Sequence, residues 1–183
     1  MKRIFASILA GLGIGASAQE APPQAAAMAE LRAKALAVKP ADIGLASSEY
    51  ASNVWGVLME TGVKEGMAYT LVVLADGSTS LYFSNGGGVI GAGEHAPVRA
   101  AGITLLREAS QRRLEALPTA ATPLPALGEV VFYLLSSGGT LKHTAAEKEL
   151  GEGKNPFSNL FYAGHAVIAQ VRKSEEVRSR SAK

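Results

Sequence analysis

Two dipeptides, Asp76-Gly77 and Gly138-Gly139, constrain this chain more than any other feature. Each lies between two runs rich in strand-forming residues. Met67 to Ala75 precedes the first and Ser78 to Ser84 follows it; Gly128 to Leu135 precedes the second and Thr140 to Thr144 follows it. Asp-Gly and Gly-Gly suit the tight hairpin turns whose central residues take positive φ. Two such reversals require antiparallel pairing. The expected registers place Leu71 opposite Tyr82, Val73 opposite Ser80, and His143 opposite Leu134.

Helical spacing supplies the cover for such a sheet. Met28, Leu31, Ala35 and Val38 form one apolar stripe in a helix over about 25–38, which Pro40 ends. A second helix begins between Glu94 and Pro97 and runs to about Leu117. Its stripe is Val98, Ala101, Leu105 and Ala109, widened by Ile103, Leu106, Leu114 and Leu117. Asn155-Pro156 is an N-cap and first-turn pair. It opens a last helix with Phe157, Leu160, Phe161, Gly164, Ile168 and Val171 on one face. With Val54 to Glu60 as a further strand, the order is α-β-β-β-α-β-β-α. The expectation is an α+β domain: a five-stranded, mainly antiparallel sheet with helices packed on it.

Residues 1–18 read as a signal peptide. Lys2-Arg3 precede an apolar stretch from Ile4 to Gly15, and Ala16-Ser17-Ala18 is a small-x-small cleavage site. Residues 19–27 read as a linker, 28–173 as the single domain, and 174–183 as a disordered tail. The expected address is periplasmic or secreted, with a cytoplasmic protein carrying a loose apolar tail as the alternative. No later segment has the length of a membrane span. The chain holds 18 basic and 16 acidic residues. Without Lys2 and Arg3 these numbers balance, and the segment from Arg172 to Lys183, with five basic and two acidic residues, leaves the body net negative. The body therefore lacks the clustered basic face that nucleic acid requires.

The chemical inventory is thin. With no cysteine there is neither a disulfide nor a thiol nucleophile. The two aspartates, Asp42 and Asp76, fall in a loop and a turn, and no G-x-S-x-G elbow or P-loop is present. His95, His143 and His165 lack metal-ligand spacing. Glu60 and Glu65 read as solvated charges, and Trp55 and Tyr82 as core anchors. Gly86-Gly87-Gly88-Val89-Ile90-Gly91 fits G-x-G-x-x-G literally. Its strand belongs to a hairpin rather than a βαβ unit, and Glu94 opposes an anion at the helix start. The run therefore reads as a turn at a sheet edge. The candidate ligand residues are Asn85, Gly86, Gly87, Gly88, Glu94 and His95, in a backbone nest with a polar rim. No catalytic residue, metal ligand or cofactor is assigned.

The segments Trp55-Gly56-Val57-Leu58-Met59-Glu60-Thr61-Gly62 and Ser80 to Gly91 resemble a group of uncharacterised bacterial proteins, over about residues 28–172. In plan, helices about a five-stranded antiparallel sheet are similar to roadblock, longin and profilin-like modules. That resemblance implies partner binding, an analogy of fold alone. Taken together, the sequence points to a non-catalytic binding or scaffolding domain, with a protein partner or self-association. The alternatives are a small-ligand binder, or an enzyme of unrecognised type, using the Gly86–Gly91 loop.

Overall fold

The computed structural model describes residues 23–46 and 53–181. The segment read as a signal peptide lies outside them. Helix α1 spans Pro23–Ala37, so residues 23–27, expected as linker, are helical. Four strands follow: β1 (Val54–Lys64), β2 (Met67–Leu74), β3 (Thr79–Phe83) and β4 (Gly88–Val89). Helix α2 (Ala96–Arg112) leads to β5 (Leu117–Pro118), β6 (Glu129–Ser136) and β7 (Gly139–Ala146). Short α3 (Glu147–Gly151) and long α4 (Ser158–Ser181) complete the chain, so most of the segment expected as a disordered tail is helix. No helix among the described residues is long and apolar enough to cross a membrane.

The fold is α+β with an antiparallel sheet, but the sheet has seven strands rather than five, ordered β4-β3-β2-β1-β6-β7-β5. The five expected strands form its centre. The two additions are two-residue strands at its edges, too short to leave a periodic pattern in sequence.

Both hairpins form, each in a different register from the expected one. Leu74 N–H donates to Ser78 O, enclosing a three-residue loop with Gly77 at φ 90°. Three-residue loops of this kind place glycine in the left-handed region. Leu71 therefore faces Leu81, and Val73 faces Thr79. In the second hairpin the turn is Ser137-Gly138, because Ser136 pairs with Gly139. This moves His143 opposite Phe132.

Central strand β1 is buried along both faces from Val54 to Gly62 because helices cover both sides. One side packs α2, α3 and α4 against Val57, Met59, Leu71, Val73, Phe132 and Leu134. The other packs Met28, Leu31, Ala35 and Val38 against Leu58, Val72, Tyr82, Val131 and Tyr133. The α1 stripe read from sequence is thus the face that meets the sheet. In α2, Val98, Leu105 and Ala109 are buried as expected, but Ile103 and Leu114 face solvent, as does Leu117 on β5. The chain leaves the helix at Arg112, so the last two leucines do not continue the stripe.

Glu60 overturns its sequence reading. It is fully buried on the α1 face, opposite Thr70 of β2 and Val131 of β6. Arg32 of α1 reaches it from above. The Arg32 Nε–H and Nη2–H donate to its two oxygens at 2.6 and 2.8 Å, and the Thr70 hydroxyl donates at 3.0 Å. A carboxylate can be buried only when paired and hydrogen-bonded in this way.

Candidate ligand-binding cleft

Pairing across β2 and β3 places Tyr69 beside Phe83 and Leu71 beside Leu81. Odd-numbered residues of both strands face the α4 side, by the two-residue period of a strand. Tyr69 and Phe83 meet edge to face, with ring centroids 6.4 Å apart. Helices α2 and α4 cover the centre of the sheet and leave this outer corner open. The result is a cleft of about 460 Å³ floored by Tyr69, Leu81 and Phe83.

Helix α4 forms its wall. His165, Ile168, Ala169, Arg172, Lys173 and Glu176 line the cleft. Their separations of one, three and four repeat a single helical stripe. The inner end of that stripe is apolar and the outer end is charged. Arg172 and Lys173 make no ion pair with any described residue. Glu176, one turn on from both cations, adds a carboxylate to the rim.

His165 is the polar group of the inner wall. Its Nε2 is buried without a hydrogen-bond partner among the described residues. Its ring meets Phe161 edge-on at 4.4 Å. Burial holds its pKa below the ordinary histidine value; Glu147 opposes that shift and Arg172 reinforces it. The ring is therefore neutral at pH 7, one nitrogen carrying a proton and the other a lone pair. Burial also raises the pKa of Tyr69, keeping its phenol protonated.

The expected site residues fall on two elements. Asn85, Gly86 and Gly87 form the reversal into Gly88 of β4; Phe83 N–H donates to Gly87 O, and Gly86 N–H donates to Phe83 O. At Gly88 φ is 139°, and a Cβ would meet the Leu81 and Tyr82 backbone. Chain packing therefore requires glycine there. Gly86 lies against Gln24 of α1. Glu94 and His95 sit instead at the start of α2, with His95 Nε2 3.6 Å from Glu94 Oε1. His95 lines a separate cavity of about 420 Å³ with Pro97, Gln170, Lys173, Val177 and Arg178. Lys173 borders both this cavity and the cleft.

His143 is structural. It stacks on Phe157 with centroids 3.7 Å apart. Asn155 Oδ1 accepts the Phe157 N–H at 2.9 Å and lies 3.2 Å from His143 Nε2. Since that oxygen is an acceptor, the imidazole donates to it from Nε2.

Sequence reasoning missed Tyr69, Phe83, Arg172 and Lys173. The α4 stripe was legible in its spacing, but Arg172 and Lys173 read as the start of a charged tail. No protein-family model, curated protein or solved structure matches this chain.

Proposed function

We propose that the protein is a non-catalytic binding domain whose cleft takes a small organic acid with an apolar body. The apolar part would lie on Tyr69, Leu81 and Phe83, and the carboxylate would meet Arg172 and Lys173. The observation that carries this reading is one cleft holding an aromatic floor and two cations without ion pairs among the described residues. Its volume of about 460 Å³ suits a small ligand. Glu176 lowers the affinity for an anion and sets where the acid group can rest.

Calorimetric titration with octanoate and with octanol tests the proposal. Octanoate is expected to bind saturably and about tenfold more tightly than octanol, the contribution of a charge-assisted contact. Arg172→Ala with Lys173→Ala should abolish that difference, and Glu176→Gln should tighten octanoate alone. Equal affinities for acid and alcohol, or a difference that survives the double substitution, would overturn the assignment.

The accompanying proposal is export, supported by the Lys2-Arg3 start, the apolar stretch after it and Ala16-Ser17-Ala18. Mass spectrometry of protein recovered from its native host should find Gln19 as the first residue. An intact Met1 in a cytosolic fraction would refute it.

A further inference from the structure

Residues on the opposite face of the sheet form a further cavity, of about 230 Å³, beneath α1. Its lining includes Ala29, Arg32, Thr70, Tyr82 and Ser84. Strand register explains why polar groups meet there. Tyr82 pairs with Thr70, and Thr70 pairs with Glu60, so the three form one row across β3, β2 and β1. Arg32 closes the row from the helix.

The row is not fully satisfied. Tyr82 is 2% exposed, yet its hydroxyl has no hydrogen-bond partner among the described residues. Burial, with Glu60 nearby and Arg32 partly offsetting it, pushes its pKa up to about 12. It is therefore a proton donor at every physiological pH. A buried hydroxyl without a partner is costly and uncommon, and it marks where something else bonds. Arg32 uses Nε and Nη2 on Glu60, leaving Nη1 outside that pair. The Ser84 hydroxyl oxygen accepts the Ala68 N–H and retains its own proton to donate.

We propose that this cavity is a second binding site, independent of the cleft, for a small uncharged hydroxylated molecule. Charge selects that class. The Arg32 guanidinium is neutralised by the Glu60 carboxylate beneath it, so the cavity presents donors without net charge. A neutralised pair gives an entering ion of either sign no net attraction to offset the cost of its desolvation. A neutral hydroxyl oxygen accepts from Tyr82 and Ser84 without that cost.

Two-dimensional amide NMR of the full chain, titrated with glycerol, tests the site. Acetate and methylammonium serve as charged probes of similar bulk. Glycerol should give saturable shifts confined to residues 28–32, 70 and 82–84, and neither ion should do so. Tyr82→Phe should weaken glycerol about fivefold through the lost hydrogen bond. Its thermal midpoint should hold or rise, since the deleted hydroxyl has no partner among the described residues. Ala29→Leu, on the exposed surface of α1, should fill the cavity and abolish the shifts without unfolding the domain. Shifts that never saturate, equal response to all three probes, or binding unchanged in both variants would overturn the proposal. A lowered midpoint in Tyr82→Phe would do so too, by showing that water already satisfies the hydroxyl.

Discussion

Among the described residues, Arg32 and Glu60 form the one ion pair whose carboxylate is fully buried. They lie 28 positions apart in sequence and join α1 to the centre of the sheet through two short hydrogen bonds. Glu60 has no access to solvent, whereas the Arg32 side chain keeps 16% exposure. Removing the arginine would leave a buried carboxylate with only the Thr70 hydroxyl. Arg32→Ala is expected to cost about 3 kcal/mol, the lower end for a broken buried pair because Arg32 is partly wetted. Replacing both members, as Arg32→Met with Glu60→Leu, should restore stability to within about 1 kcal/mol of the parent. Urea denaturation of the three variants measures this. An undiminished midpoint in Arg32→Ala would show that the pair contributes nothing.

Among the elements, α4 packs closest to the sheet where it has no side chain to keep it away. A Cβ built on Gly164 would lie 2.5 Å from Met59 Sδ and 2.7 Å from its Cε. Met59 is fully buried on β1, so its end has little room to withdraw. Gly164→Ala gains about 1 kcal/mol of helix propensity and loses more to overpacking. The expected net loss is about 1 kcal/mol. Shortening the opposing side chain should relieve it, so Gly164→Ala with Met59→Val should be less destabilised than the two single changes together, by about 0.5 kcal/mol or more. A double-mutant cycle by chemical denaturation gives the coupling, and strict additivity would contradict this packing account. Helix α1 is built differently: none of its residues is fully buried. Its hold on the sheet comes from a partly buried stripe, the Arg32 pair and the Trp55 indole N–H donated to Val38 O at 3.2 Å.

Across the whole molecule, two half-buried histidines make stability depend on pH. Burial lowers the pKa of both His143 and His165. The unfolded chain, with ordinary histidine values near 6.5, therefore takes up protons first as pH falls. Their contribution is complete above the ordinary value and erodes as pH drops towards the folded values. The thermal midpoint should consequently fall between pH 7 and pH 5. His165→Gln should reduce that slope without abolishing it, because His143 remains. An organic acid bound in the cleft as proposed would act in the opposite sense at His165, joining Glu147 in favouring the charged ring, against Arg172. Octanoate should accordingly bind more tightly as pH falls through the same range, and pH-independent affinity would separate His165 from the cleft's chemistry.

Much of the architecture was present in residue order alone. Apolar stripes at helical spacing identified which faces of α1, α2 and α4 meet the sheet, and the two glycine-bearing reversals dictated antiparallel neighbours. These are local signals, set by the repeat of a helix, the alternation of a strand and the turns that glycine permits. Register was less legible, because Asp76-Gly77 is compatible with loops of two or three residues, and one added residue shifts every facing pair. The glycine run was recognisable as a turn, yet nothing in it announced that Glu94 and His95 would lie apart from it. The cleft and the Glu60 pair were decided only by tertiary structure. Both depend on which strand lies beside which, and on helices distant in sequence crossing over particular rows. Glu60 looks like any strand-end carboxylate until β6 pairs with β1 and α1 lies across them, whereupon burial obliges it to find a partner.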